Sequence, residues 1–184
     1  MKSRAICLAL FSIITISIGA SLPAWAQRAR VFVSVNGNDS NPCTALSPCR
    51  TFQAAHDAVQ ACGEVDVLDT GGYGTLNITK SISIVNPGGV IASIATASGQ
   101  TAISINAGAN DTISLRGLTL DGVGVGEAGV AFFSGGSLEM ADCIVRRYSN
   151  GIFFRSSTTS ALKSQTASST TISMLASMSG LSHP

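Results

Sequence analysis

The chain has 184 residues, 45% of them apolar and only 11% charged, with a formal net charge of +1. About 26 N-terminal residues read as removable, and the roughly 158 that remain suffice for one domain with a core of its own. Without Lys2 and Arg4 there are nine basic against ten acidic residues, so no charge field attracts nucleic acid or an anionic membrane, and two histidines without a Cys/His cluster exclude multi-His metal chemistry.

Lys2 and Arg4 open the chain, residues 5–22 are largely apolar, and Ala24-Trp25-Ala26 offers a small-x-small cleavage site. This order predicts a secretory signal peptide over residues 1–26. Ser12, Thr15, Ser17 and Gly19 weaken the rival reading as an anchor, and no second long apolar run follows, so no membrane span is expected after cleavage. Export makes cysteine pairing the default for Cys43, Cys49, Cys62 and Cys143. Cys43 and Cys49 bracket a Pro-bounded loop and are the plausible disulfide, worth roughly 2–3 kcal/mol by loop closure. Cys62 and Cys143 read more readily as buried small apolar residues than as a second pair.

Residues 27–62 are expected to form an N-terminal strand, the disulfide loop and a capping helix. Val31, Val33 and Val35 alternate along the strand. The run Asn36-Gly37-Asn38-Asp39-Ser40-Asn41-Pro42 predicts turns made by side chains bonding to the local backbone; a cation on Asp39 is the weaker alternative. A helix is predicted over 51–62, capped by Thr51, with Phe52, Ala55, Val59 and Cys62 as its apolar stripe. His56 lies off that stripe and is expected in solvent.

From residue 63 to about 162 the texture is short alternating Ile, Val and Leu runs divided by Gly, Asn and Asp. Ile113, Leu115, Leu118 and Leu120 match Leu138, Met140, Cys143 and Val145 with an offset of 25, and Val130 and Phe132 match Ile152 and Phe154 with an offset of 22. Similarity at such a period predicts a solenoid, and short strands joined by bends predict a parallel β-helix. The two residues between Leu115 and Leu118 mark one bend. Stacked aliphatic side chains, each worth roughly 1.5–3 kcal/mol when buried, would fill its core, with the helix covering the first edge.

The strings Val31-Phe-Val-Ser-Val-Asn-Gly-Asn-Asp, Asn41-Pro-Cys, Pro48-Cys-Arg-Thr-Phe-Gln-Ala-Ala and Val65-Asp-Val-Leu-Asp resemble the start of exported bacterial right-handed parallel β-helix proteins of the pectin-lyase-like superfamily. The resemblance runs from about Arg30 to Phe154. It implies an all-β, right-handed parallel β-helix with an N-terminal capping α-helix, and a secreted or periplasmic location. It leaves activity open, because the superfamily hosts lyases, hydrolases, adhesins and many surface proteins. Its lyases resemble one another in an acidic calcium site beside a basic residue, and its polygalacturonases in neighbouring Asp residues.

The acids on offer here are Asp66, Asp69, Asp111, Asp121, Glu127, Glu139 and Asp142, and the bases Arg116, Arg146 and Arg147. They show neither paired Asp at catalytic spacing nor a calcium-loop pattern, so no catalytic residue, metal or cofactor is assigned. The offset of 25 stacks Asp121 and Arg146 on neighbouring strands, either as an exposed ion pair, the stronger reading, or as a grip by Arg146 on a sugar carboxylate. Phe133 and Phe153 are expected outside and in register, as an apolar ladder that either meets a ligand or packs under a loop. The expectation is an exported, non-catalytic module that binds a polysaccharide or acts at the cell envelope; the alternative is a lyase or glycoside hydrolase, or an inactive truncated remnant of one. Residues 163–184, rich in Ser and Thr, read as a disordered or frame-shifted end. Oligomeric state is not legible.

Overall fold

The computed structural model describes residues 28–155 and the backbone of 161–164. The expected signal peptide and most of the Ser/Thr-rich tail lie outside the described residues. In chain order the elements are β1 (Arg28–Val33), α1 (Phe52–Ala58), β2 (Val59–Val67), β3 (Gly71–Gly72), β4 (Leu76–Ile78), β5 (Ile82–Val85), β6 (Ala92–Ala95), β7 (Thr101–Asn106), β8 (Thr112–Arg116), β9 (Leu118–Ser134), β10 (Ser137–Ala141), β11 (Ile144–Phe154) and β12 (Ala161–Ser164). The protein is all-β with one short helix, and every pairing between these strands is parallel.

One sheet runs β1-β2-β5-β8-β10-β12. The other is held together by the long strand β9, which pairs with β6 through residues 118–121 and with β7 through residues 128–134. Strand β11 follows β9 along both stretches. Three rows of apolar side chains result. Val31, Val65, Ile84, Leu115 and Met140 are aligned in the first sheet. Ile94, Leu120 and Val145 are aligned on the first stretch of β9, and Ile78, Ile105, Phe132 and Phe154 on the second. All but Met140, Val145 and Phe154, which belong to β10 and β11, are buried. Period-two alternation thus puts one face of each strand into a common core.

The offsets of 25 and 22 are the observed registers: Leu115 lies opposite Met140, Leu120 opposite Val145, and Val130 opposite Ile152. Elsewhere the aligned residues are not evenly spaced. Val65 and Ile84 are 19 residues apart, and Ile84 and Leu115 are 31 apart. The connections absorb the difference while the paired backbone keeps the register. The bend after Leu115 lies at Gly117 (φ +71°), and its counterpart after Met140 at Asp142 (φ +54°). Both adopt the left-handed conformation that turns the chain within one residue.

Helix α1 is shorter than expected. Thr51 caps it, accepting a hydrogen bond from the Ala54 N–H, and Phe52 and Ala55 are buried with Val59 beyond them. The Phe52 ring lies 5.0 Å from that of Tyr73. The helix ends at Ala58, however, and the chain continues directly as β2. Arg28 pairs with Val59 and Arg30 with Glu64, so residues 60–63 bulge out of the ladder. Cys62 sits in that bulge with φ +62°, exposed and unpaired. The expectation that it is a buried helical residue is therefore corrected: pairing with β1 gives β2 a ladder of backbone hydrogen bonds, which outweighs the weak propensity of a short helix. His56 is corrected too. It is 4% exposed; its Nε2 accepts from the Thr79 N–H at 3.2 Å, and its Nδ1 lies 2.9 Å from Asp57 Oδ1, so the ring ties helix to sheet.

Cys43 and Cys49 form the expected disulfide. Their loop covers the outer edge of β1, with Phe32 N–H donating to Cys43 O and Ser34 N–H to Cys49 O. Among the described residues, no helix is long and apolar enough to cross a membrane.

Candidate functional site

Asp121 closes the first stretch of β9, and Arg146 lies opposite it on β11. Alternation turns both away from the core, because Leu120 and Val145 point inward. The expected juxtaposition is present, but the pair is not a loose surface contact. Asp121 is only 8% exposed. Arg146 Nε donates to its Oδ2 at 3.0 Å, Arg147 Nε donates to Oδ1 at 2.7 Å, and Arg147 Nη2 also donates to Oδ2. The Val123 N–H completes the set at 2.9 Å from Oδ1. The hydrogen bond from Arg147 does most to hold the Asp121 carboxyl well below its ordinary range; burial opposes it, and the Val123 N–H and the two guanidinium charges assist. The arginine side chains stay 58% and 56% exposed. One buried carboxylate therefore fixes two cationic groups whose remaining N–H donors face solvent.

Arg147 adopts φ +59°, which is how adjacent residues of one strand reach the same carboxylate. In β9 the corresponding bend is longer. The register advances from Asp121–Arg146 to Gly126–Tyr148, so five steps on β9 match two on β11. These three extra residues account for the drop in offset from 25 to 22. They build a loop in which Val123 and Val125 are exposed and Gly124 turns at φ +81°. Beneath it lie the buried Thr96 Oγ1 and Tyr148 Oη, and burial raises the pKa of the Tyr148 phenol.

The other acids build the wall. Arg30 donates to Asp66 and lies 3.2 Å from Glu64. Asp69 accepts from Ser34 Oγ, the Val35 N–H and Tyr73 Oη. Burial raises its pKa, but those bonds outweigh burial and leave the carboxyl below its usual value. Asp111 is likewise lowered, chiefly by the hydrogen bond from Ser81 Oγ. Asp39 accepts from the Arg50 and Thr51 N–H groups and from Thr51 Oγ1, so it fastens the start of α1. Asn38 makes the local turn predicted for this loop by accepting from the Ser40 N–H. Glu127 and Asp142 are exposed, Glu139 is half-buried, and Arg116 is exposed. No described group of three His, Cys, Asp or Glu is placed to hold a metal ion.

Phe133 and Phe153 are both exposed, as alternation predicts, but they are not in register. Phe153 lies opposite Ala131, and the residue 22 beyond Phe133 is Arg155, whose N–H donates to Phe132 O. The expected Phe133–Phe153 ladder is thus corrected. The ring pair that does form is Phe132 with Phe154, at 5.0 Å between centroids, and it belongs to the inward row. Cys143 is half-buried and unpaired; its thiol donates to Leu115 O and Ala141 O, and burial raises its pKa.

Sequence reasoning placed Asp121 and Arg146 together and missed the shared role of Arg147 and the loop of residues 122–125. The drop from 25 to 22 between Val145 and Ile152 was the signal for that loop. No protein-family model matches the chain, and no curated protein or solved structure matches it.

Proposed function

We propose that this protein is an exported, non-catalytic binding module for carbohydrate at the cell envelope, built as a right-handed parallel β-helix of the pectin-lyase-like type. The architecture is supported by the parallel registers, which align Val31, Val65, Ile84, Leu115 and Met140 one strand above another, by the left-handed bends at Gly117 and Asp142, and by the resemblance of residues 30–154.

The observation that carries the functional reading is the state of Asp121. A general acid needs a carboxyl whose proton is held near working pH. Asp121 is instead saturated by donors and kept ionised, while the arginines it orients keep free donors toward solvent. That arrangement suits the holding of a ligand, and Asp121 carries no proton for a general acid to give. The test is a screen of the purified protein for binding and degradation of neutral and acidic polysaccharides, with and without calcium. Retention of a glycan without turnover is the expected result. Turnover that disappears in Asp121→Asn or Arg146→Gln would establish the lyase or hydrolase alternative.

A further inference from the structure

We infer that His56 is an acid-operated latch: its neutral ring fastens α1 to the corner between β4 and β5, and protonation of that ring releases the helix from the corner. The residue is 4% exposed. The Thr79 N–H donates to Nε2 at 3.2 Å, and a backbone N–H can only donate. Nε2 therefore carries no proton, and the neutral ring bears its proton on Nδ1. That Nδ1–H donates to Asp57 Oδ1 at 2.9 Å. A second proton has one place to go, Nε2, where it would face the Thr79 N–H head-on. The charged ring and the Thr79 bond exclude each other.

The surroundings set how the two states compete. Asp57 attracts the proton, but its side chain is 66% exposed and water screens its pull. The last turn of α1, where His56 lies, also favours a cation. Burial of the ring opposes the charge, and so does Lys80 of the corner, whose Nζ donates to Val59 O within the field of Asp57. On β1 and β2, which also pack on α1, Arg30 pairs with Glu64 and Asp66. Asp39 holds the opposite end of the helix through Arg50 and Thr51, and Tyr73, whose ring meets Phe52, bonds to Asp69. Among the described residues, His56 forms an ion pair with Asp57 alone. Without the Thr79 bond, the hydrogen bonds joining this stretch to the corner are those of the Asn77 N–H to Gln53 Oε1, which is open to water, and of Lys80 to Val59 O. A helix of seven residues has little stability of its own. Burial of Phe52 and Ala55 resists its release, so acid speeds the local opening of α1 and leaves the sheets intact.

The experiment follows amide exchange and histidine NMR signals of the full chain between about pH 7.5 and about pH 5, a range in which histidines titrate and ordinary carboxylates stay ionised. At the upper end the His56 ring should show the Nδ1–H tautomer, and the Thr79 amide signal should move in step with protonation of the ring. Exchange corrected for its intrinsic pH dependence should quicken about tenfold on acidification at residues 52–58 and Thr79, and stay level in β8 and β10. His56→Gln offers Thr79 an acceptor that does not titrate, and should abolish the acid response of α1. An Nε2–H tautomer at the upper end overturns the inference. So does unchanged exchange of α1 after the ring is protonated, or an acid response equally large in His56→Gln. Should that variant fail to fold, the tautomer and the Thr79 signal of the native chain decide the matter by themselves.

Discussion

Asp121 concentrates the electrostatics of the molecule in one side chain. Its carboxyl is depressed in the folded protein, chiefly by Arg147, so its contribution to stability is present above the ordinary carboxylate value of about 3.9 and fades as pH falls toward the folded value. Asp121→Asn should therefore cost about 1–2 kcal/mol at neutral pH, a modest figure because the arginines are solvent-screened. The loss should shrink steadily between about pH 5 and pH 2. Urea midpoints of both forms across that range check this; a difference independent of pH would mean that the carboxylate charge plays no part. Asp69 and Asp111 are also depressed, so the variant should keep part of the acid sensitivity of the native chain.

At the scale of elements, α1 is held by its ends and by one buried face. Thr51 caps the first turn and is itself bonded to Asp39, so Thr51→Ala should cost about 1 kcal/mol. Amide exchange should report the loss first in residues 52–58, because the helix has only seven residues and little stability of its own. Faster exchange spread evenly over β5 and β8 would contradict that assignment. The same element shows where local pattern misleads. Phe52, Ala55 and Val59 carry a helical stripe, and the extension to Cys62 followed from one more three-residue step, whereas the chain beyond Ala58 is extended and leaves Cys62 exposed. What ends the helix is the partner strand β1, supplied by residues some 30 positions earlier.

For the whole molecule, stability comes from aligned aliphatic rows crossing several strands. Leu115 lies between Ile84 and Met140 and is fully buried. Leu115→Ala should cost about 2–5 kcal/mol and lower the midpoint of a single cooperative transition, since each neighbouring strand loses packing with it. Equilibrium denaturation monitored by circular dichroism tests this; a change confined to one strand's amide exchange would mean that the rows are not shared. Met140, Val145 and Phe154 occupy the same rows in β10 and β11 but are less buried, so Met140→Ala should cost clearly less than Leu115→Ala.

The all-β class, the strands at the alternating Ile, Val and Leu runs (but not β3, β6 or the full length of β9), the Cys43–Cys49 link and the registers linking β8 with β10 and β9 with β11 were legible in the chain, because inward residues must alternate and must meet equivalents on neighbouring strands. So was the meeting of Asp121 with Arg146, since a register that aligns Leu120 with Val145 aligns the next residues as well. The end of α1 at Ala58, the burial of His56, the exposure of Cys62, the mismatch of Phe133 with Phe153 and the convergence of Arg147 and Val123 on one carboxylate were decided only by the tertiary structure. Each depends on which distant segment competes for the backbone or fills the space beside a side chain. Periodicity along the chain carries the direction in which a residue points, whereas only the assembled sheets determine what it meets there.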